Sequence, residues 1–515
     1  TSTSQFASVE QRLAAISKAW QNLSVTEQHF NHLNEIPPTF RILSLHHSPD
    51  RTHLYGAVYE KPKFIPTAKG KLVQVGDACK VARVAVSPAA LSGLVASAQQ
   101  FREQSQAEVC SRDRALIFGL KSEGANPERQ RYPLLRLSDI LKATEDYLRP
   151  LLSLLRSPEP RIHISSTIGD LGKAKPKDKD RKQSVVPAPV EPETVDTVVL
   201  IVDRPLLELP LEGLLVLREG AISSVSREFS LQMFYNHLHQ EEAGECGPGR
   251  PGVSNRTDHE KGQQRQRVEE GSAPRVIPPD AILVDADNFN PDVVDPFEEA
   301  QGPGTWLPVS VTREILDKYK ESFTARWVGH LGKKLFPSQA EWEQLLGRCE
   351  GFFFYGMENF LSHLSVERLA AMNLEDCRLM VLLDLSRSYE SMRRTLESSE
   401  HKSVPQLALE EPIETAILLS LVGVKSILAN QWPSTLQDNA LRANVLWENL
   451  LAFGKTTGKV ARLLQRMEAG EMVSHDESPQ TPKNRLMLRP QLHGSEWPST
   501  SLNLVLYGLP NQAIV

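Results

Sequence analysis

Short, nearly continuous apolar runs constrain this chain most. They occupy 197–202, 281–284, 351–355, 378–383, 426–429 and 502–507, and none alternates cleanly between apolar and polar residues. A strand with one wet face would alternate, so these runs read as strands buried on both faces. Helical segments at 311–320, 340–346, 410–422 and 436–453 separate most of them. Strands alternating with helices, joined by right-handed crossovers, predict a doubly wound, three-layer α/β/α arrangement with a mostly parallel sheet.

The first third of the chain is patterned differently. Phe6, Val9, Leu13, Ile16, Trp20 and Leu23 recur at alternating spacings of three and four, which places them on one stripe of an amphipathic helix. Nothing within that segment covers the stripe, so it must pack on the following domain or on another helix. Pro37-Pro38 ends the helical pattern. Strand-like runs follow at 40–45 and 53–59, divided by the turn signal Ser48-Pro49-Asp50. A third run, 81–86, leads through Ser87-Pro88 into a helix beginning near Ala89, and a leucine-rich helix covers 134–155. Segments 173–192 and 240–279 are too polar to offset the entropy of ordering them, and 471–500 has the same character.

Composition narrows the class. With 58 Lys and Arg against 64 Asp and Glu among 515 residues, the net charge is −6, which excludes a broadly basic nucleic-acid binder. No apolar run approaches the length of a membrane span, and no signal peptide is visible at Thr1. Five scattered cysteines point to a reducing compartment.

In such sheets, chemistry sits beyond the carboxyl ends of strands. The residues there include Asp203 to Glu212, then Tyr355-Gly356-Met357-Glu358, Asp384-Leu385-Ser386-Arg387, Gly423 to Pro433 and Leu506 to Pro510. Their succession resembles the CHAT domain, the caspase-like family that includes separase. Residues 36–43 with 53–58 look like that family's opening hairpin, and Pro205 to Glu212 resembles its Pro/Leu/Glu element. Gly423 to Pro433 resembles its Trp-Pro strand, and Leu506 to Pro510 its terminal strand. The resemblance implies a caspase-like fold with a smaller N-terminal α/β half and an added N-terminal helix. It also implies a peptidase whose His and Cys occupy neighbouring strand ends, where the imidazole helps deprotonate the attacking thiol. The matching positions here are Met357 and Leu385. Neither side chain moves a proton or attacks a carbonyl, so the expectation is a pseudoenzyme with no cofactor and no metal. The alternative is an active cysteine peptidase of the CHAT and separase class. His363 lies six residues past Met357, while Cys349 and Cys377 precede their strands and belong to the wrong sheet edge. Asp384 with Ser386 would need a base that no strand-end His offers.

Several other features read as structural. Gly454-Lys455-Thr456 is expected to end a helix, because Asn449 stands where a phosphate-binding loop requires Gly. Asp285 and Asp287 are read as a solvated turn, because Phe289 occupies the third position of a calcium loop. His46 and His47 are adjacent on a strand, so they face opposite ways. The basic run Lys173, Lys175, Lys177, Lys179, Arg181 and Lys182 is read as a solvated linker, with acidic tubulin tails as the functional alternative.

Residues 202–213, 222–233, 353–360 and 426–433 are also similar to the carboxy-terminal part of a large helical-repeat protein of the axonemal central apparatus. That implies a scaffold in cytoplasm, cytoskeleton and cilium axoneme. Its partners would be other central-apparatus proteins and microtubules, with no nucleic acid, membrane or small-molecule substrate. Residues 1–36 are then expected to end an upstream repeat region, a reading that the absence of an initiator Met fits. Residues 37–168 form the N-terminal half, 169–196 a linker and 197–515 the caspase-like half. A third reading, a nucleotide-binding α/β protein, predicts thermal stabilisation by nucleotide.

Overall fold

The structure is a computed structural model. It describes residues 33, 36–61, 63–66, 72–75, 79–117, 136–155, 197–218, 222–244, 282–284, 289–294, 308–319, 330–331, 337–356, 359–362, 364–384, 403–434, 436–468 and 502–514. The N-terminal stripe, the basic run and the polar segments 173–192 and 471–500 lie outside them, as do Asp285, Asp287 and residues 245–279; residues 240–244 of the segment read as unordered instead continue the helix Leu231–Gly244.

In chain order the strands are β1 (Phe40–His47), β2 (His53–Glu60), β3 (Lys63–Pro66), β4 (Leu72–Val75), β5 (Cys79–Ala85), β6 (Thr197–Val202), β7 (Ser224–Glu228) and β8 (Ile282–Val284). They continue with β9 (Phe289–Val294), β10 (His330–Leu331), β11 (Gly351–Tyr355), β12 (Leu379–Leu383), β13 (Ser426–Asn430), β14 (Leu504–Gly508) and β15 (Gln512–Ile514). The longer helices are α1 (Pro88–Ile117), α2 (Leu137–Leu148), α3 (Leu231–Gly244), α4 (Pro308–Lys318), α5 (Gln339–Leu346), α6 (Pro412–Leu421), α7 (Leu436–Trp447) and α8 (Thr457–Glu468).

Eleven strands form one sheet in the order β10-β9-β11-β12-β13-β14-β7-β6-β1-β2-β5. It is mixed and mostly parallel, as the apolar runs predict, but it consists of two blocks. β10, β9, β11, β12 and β13 run parallel to one another, and so do β14, β7, β6 and β1. The blocks meet at the antiparallel pair β13–β14, so they point in opposite directions. β2 and β5 extend the second block as an antiparallel meander. One expected strand lies elsewhere: β8 pairs with β15 in a separate two-stranded ribbon. The sheet position next to β11 is taken instead by β9, whose Asn290-Pro291-Asp292 reads as a turn in sequence.

The apolar runs are explained by the layers on both sides of the sheet. Phe353, Tyr355, Val381, Leu383, Leu428 and Leu506 join one core with α4, α7 and α8. Their neighbours Phe352, Phe354, Met380, Leu382, Ile427 and Val505 join a second core with α5 and α6 on the opposite face. Each fully buried side chain of this size contributes about 1.5–3 kcal/mol. Residues 352–354 of β11 are all 0% exposed, which alternation would forbid in a one-faced sheet. On the second block, Leu43, Leu45, Leu54 and Val58 pack under α1 and α2.

β7 has no apolar run to announce it. Its sequence is Ser-Val-Ser-Arg-Glu, yet all five residues are buried. Arg227 offsets the cost of burial by pairing with Glu212 at 2.5 and 2.6 Å and donating to the Leu207 and Leu209 carbonyls at 2.6 and 2.8 Å. Burial alone would lower the Arg227 pKa, but the Glu212 carboxylate holds it above its ordinary value. Arg462 on α8 donates to the Glu212 and Leu217 carbonyls. The Pro205-to-Glu212 element is therefore fastened by buried guanidinium groups. Two glycines shape the central strands. Gly423 (φ 112°) turns the chain from α6 toward β13, and a Cβ at Gly508 (φ 81°) would lie 2.1 Å from the Lys425 carbonyl oxygen.

Candidate strand-end sites

Because the blocks point in opposite directions, their carboxyl ends lie on opposite edges of the sheet. The first edge follows β11, β12 and β13. Tyr355 pairs with Leu383 in parallel register, so β11 and β12 end side by side, and the Gly356 N–H donates to the Leu383 carbonyl at 3.1 Å. Met357 and Leu385 lie two residues beyond these paired ends, outside the described residues, as do His363 and Ser386.

The described groups at this edge are mostly amides, with one carboxylate, one guanidinium and the Tyr355 and Ser434 hydroxyls. Asp384 is buried, and its Oδ2 accepts the Phe360 N–H at 3.1 Å, which holds the first turn after β11. Its backbone carbonyl accepts from Asn430 Nδ2 at 2.8 Å and Asn439 Nδ2 at 3.2 Å. Asn439 Oδ1 in turn accepts from Asn430 and from Arg442, and Arg442 also donates to Ser434 Oγ at 2.6 Å. Asn503 closes the exit of β13: its Oδ1 accepts the Gln431 and Trp432 N–H groups, and its Nδ2 donates to the Trp432 carbonyl. The Tyr355 hydroxyl is buried beside Arg442, and burial drives its pKa far above the ordinary value despite that guanidinium. Such a lattice fixes backbone, while Asn430 Oδ1, Gln431 Oε1, the Trp432 indole N–H and the Tyr355 hydroxyl stand buried in it without a hydrogen-bond partner among the described residues. A cleft of about 240 Å³ lies nearby, lined by Gln339, Ser362, Ser365, Glu367 and Gln406, and Asp384 and Asn430 are not part of it.

The second edge follows β1, β6 and β7 and carries imidazoles held by carboxylates. His47 ends β1, and Asp203 follows β6. Asp203 Oδ2 lies 2.6 Å from His47 Nδ1 and accepts the His47 N–H at 2.9 Å, while His47 Nε2 is 2.7 Å from the Tyr147 hydroxyl on α2. Burial, reinforced by Asp203, pushes the Tyr147 pKa up to about 12, so this hydroxyl keeps its proton beside the imidazole. His46 points to the other face, as the strand period requires, and burial lowers its pKa. At the end of β7, Glu228 Oε2 lies 3.0 Å from His237 Nδ1 on α3, and His237 Nε2 is 3.4 Å from Ser420 Oγ on α6. All three side chains are buried. A hydroxyl, an imidazole and a carboxylate in line have the composition of a catalytic relay. Here the chain of contacts runs through the packed interior between two helices and serves to satisfy buried polar groups.

Cys349 and Cys377 also sit at this second edge, at the amino ends of β11 and β12, as their sequence positions require. Their sulfurs are 4.0 Å apart and both residues are 0% exposed. The thiol–thiol hydrogen bond shared with Cys349, then burial, keeps the Cys377 proton in place and raises its pKa well above that of a free thiol, which suppresses the nucleophilic thiolate. Gly454 adopts φ 60° after a π-helical turn at 448–452, so Gly454-Lys455-Thr456 ends a helix, as read from the sequence.

Sequence reasoning did not assemble His47 with Asp203, or His237 with Glu228. The signal for the first pair was present: a His at the last position of one apolar strand and an Asp directly after another.

No protein-family model matches the chain. Two crystal structures of the Saccharomyces cerevisiae separase–securin complex, at 3.0 and 2.6 Å resolution, are similar to it at 12% sequence identity, with TM-scores of 0.49 and 0.48. Each match covers 94% of this chain and 31% of the chain it is matched to, so the present sequence spans less than a third of that length.

Proposed function

We propose that this chain is a non-catalytic, CHAT-like, caspase-type module that acts as an interaction scaffold in an axonemal protein. The observation that carries the reading is the paired termination of β11 and β12 at Tyr355 and Leu383. The two positions that follow at equal offsets are Met357 and Leu385, where the family resemblance calls for a general base and a thiol. The amide lattice around Asp384 supports the same reading, because Asn430, Asn439 and Asn503 hold the strand exits through the Asp384 carbonyl and the Gln431 and Trp432 backbone.

The finer assignment rests on the sequence resemblance of residues 202–213, 222–233, 353–360 and 426–433 to the carboxy-terminal part of cilia- and flagella-associated protein 46, also called tetratricopeptide repeat protein 40. In this reading the module docks on neighbouring central-apparatus proteins and microtubules and supports a central-pair projection needed for ciliary beating. The test is localisation of the tagged full-length protein in motile cilia, with and without this segment. The expected result is axonemal signal along the central pair that is lost or displaced on deletion. Exclusion of the full-length protein from the axoneme would overturn the assignment.

A further inference from the structure

The meander β1-β2-β5 has two unlike faces. On one face Leu43, Leu45, Leu54 and Val58 are buried under α1 and α2, and a Cβ at Gly56 would lie 3.1 Å from Leu151. On the other face burial fades toward β5. Phe40, Ile42 and Tyr59 are buried at the β1 end with Ile36, Phe234 and Leu509. Farther out, Tyr55 is 41% exposed and Val81 68% exposed, and Cys79 is exposed beside them. Register places these residues together: Cys79 lies opposite Tyr59, Val81 opposite Ala57, and Arg83 opposite Tyr55. Two of the six large apolar side chains that stand exposed among the described residues therefore share this patch.

The chain enters the fold at this face. Ile36 is 1% exposed in its core, and the Tyr59 hydroxyl donates to the Leu33 carbonyl at 2.7 Å. Just upstream is the amphipathic stripe Phe6, Val9, Leu13, Ile16, Trp20 and Leu23, which has no partner within its own segment. An 18-residue helix is about 27 Å long, and an eight-residue strand such as β2 spans about 26 Å. The residues between Leu23 and Leu33 are ample to return the helix across the sheet.

We propose that segment 6–23 closes over the open face of β1-β2-β5 in the same molecule, laying its apolar stripe along Tyr55, Ala57 and Val81. The partner of the orphan stripe is then the following α/β unit, and the helix completes the layer that α3 begins over β1 and β6. The proposal holds whether or not the module is catalytic.

Cys79 is a natural reporter, because it lies on the covered face. The experiment is pulsed maleimide labelling of the full chain, read at the peptide containing Cys79, for the unaltered protein and for Leu13→Asp/Ile16→Asp. The expected result is slow labelling that speeds up by about tenfold or more in the variant, as release of a docked element requires. Val81→Asp, which alters the sheet side of the contact, is expected to raise hydrogen exchange in residues 6–23. Equally fast labelling in both proteins would overturn the proposal, because the face is then open. Slow labelling that ignores the variant, or that depends on protein concentration, would also overturn it, because another element or a second copy is then the cover.

Discussion

The carboxyl edges of the two parallel blocks belong to one sheet, yet they bury different chemistry. The edge after β11, β12 and β13 ends in Asp384, Asn430, Asn439 and Arg442, whose contacts are mostly amide to carbonyl. The edge after β1, β6 and β7 ends in His47 with Asp203 and His237 with Glu228. Groups with the composition of acid–base catalysts thus sit on the edge opposite the one where β11 and β12 end side by side. There they are packed under α2 and between α3 and α6. The difference teaches that a buried imidazole–carboxylate pair marks a strand end that must be fastened as readily as one that must react.

The comparison can be sharpened by breaking each edge in turn. The largest effect is expected at Arg227. Arg227→Met leaves Glu212 charged and buried, and should cost about 3–5 kcal/mol in urea unfolding. The double variant Arg227→Met/Glu212→Leu should recover much of that loss. A single variant within about 1 kcal/mol of the parent would contradict the buried clamp.

Next comes His47→Ala, which strips the hydrogen-bond partner from Tyr147 and one contact from Asp203. A loss of about 1–3 kcal/mol is expected, the size of the penalty for buried polar groups left unpaired. Asn430→Ala on the other edge removes neutral hydrogen bonds to the Asp384 carbonyl and Asn439, and should cost about 1 kcal/mol. If Asn430→Ala proved the more damaging, the ranking of the two edges would be reversed.

The smallest effect is pH-dependent. Tyr147 is raised from 10.0 to about 12 in the folded chain, so its proton is held more tightly folded than unfolded. The stabilisation is complete below pH 10 and is lost as pH rises through 12. Over that interval the stability difference between the parent and Tyr147→Phe should shrink, as measured by denaturant unfolding at a series of pH values. A difference independent of pH would remove Tyr147 from the account.

Much of the sheet was legible because burial on both faces writes itself into composition. Residues 197–202 and 351–355 are recognisable strands for the same reason that their side chains feed cores above and below, each strand a different pair. β7 was not legible, because Ser224, Ser226, Arg227 and Glu228 become strand residues only once Glu212 and His237 arrive from elsewhere in the chain. β9 was hidden by Pro291, and the reversal of direction between the blocks has no local signature at all. At the candidate site, sequence reasoning placed Cys349 and Cys377 just before their strands, at the amino edge, and the structure places them there. It could not foresee the amide lattice, since Asn503 is far in sequence from Asn430 and Asn439 and none of the three carries a signal of its own.

The central claim, that this module has no cysteine nucleophile, is tested most directly by a peptidase-directed thiol electrophile applied to the folded full chain at neutral pH, with labelled peptides mapped by mass spectrometry. The account predicts no saturable labelling of any cysteine, and silence from Cys349 and Cys377 until the protein is unfolded. Stoichiometric, saturable labelling of one cysteine in the folded chain, abolished by changing a single histidine, would contradict it.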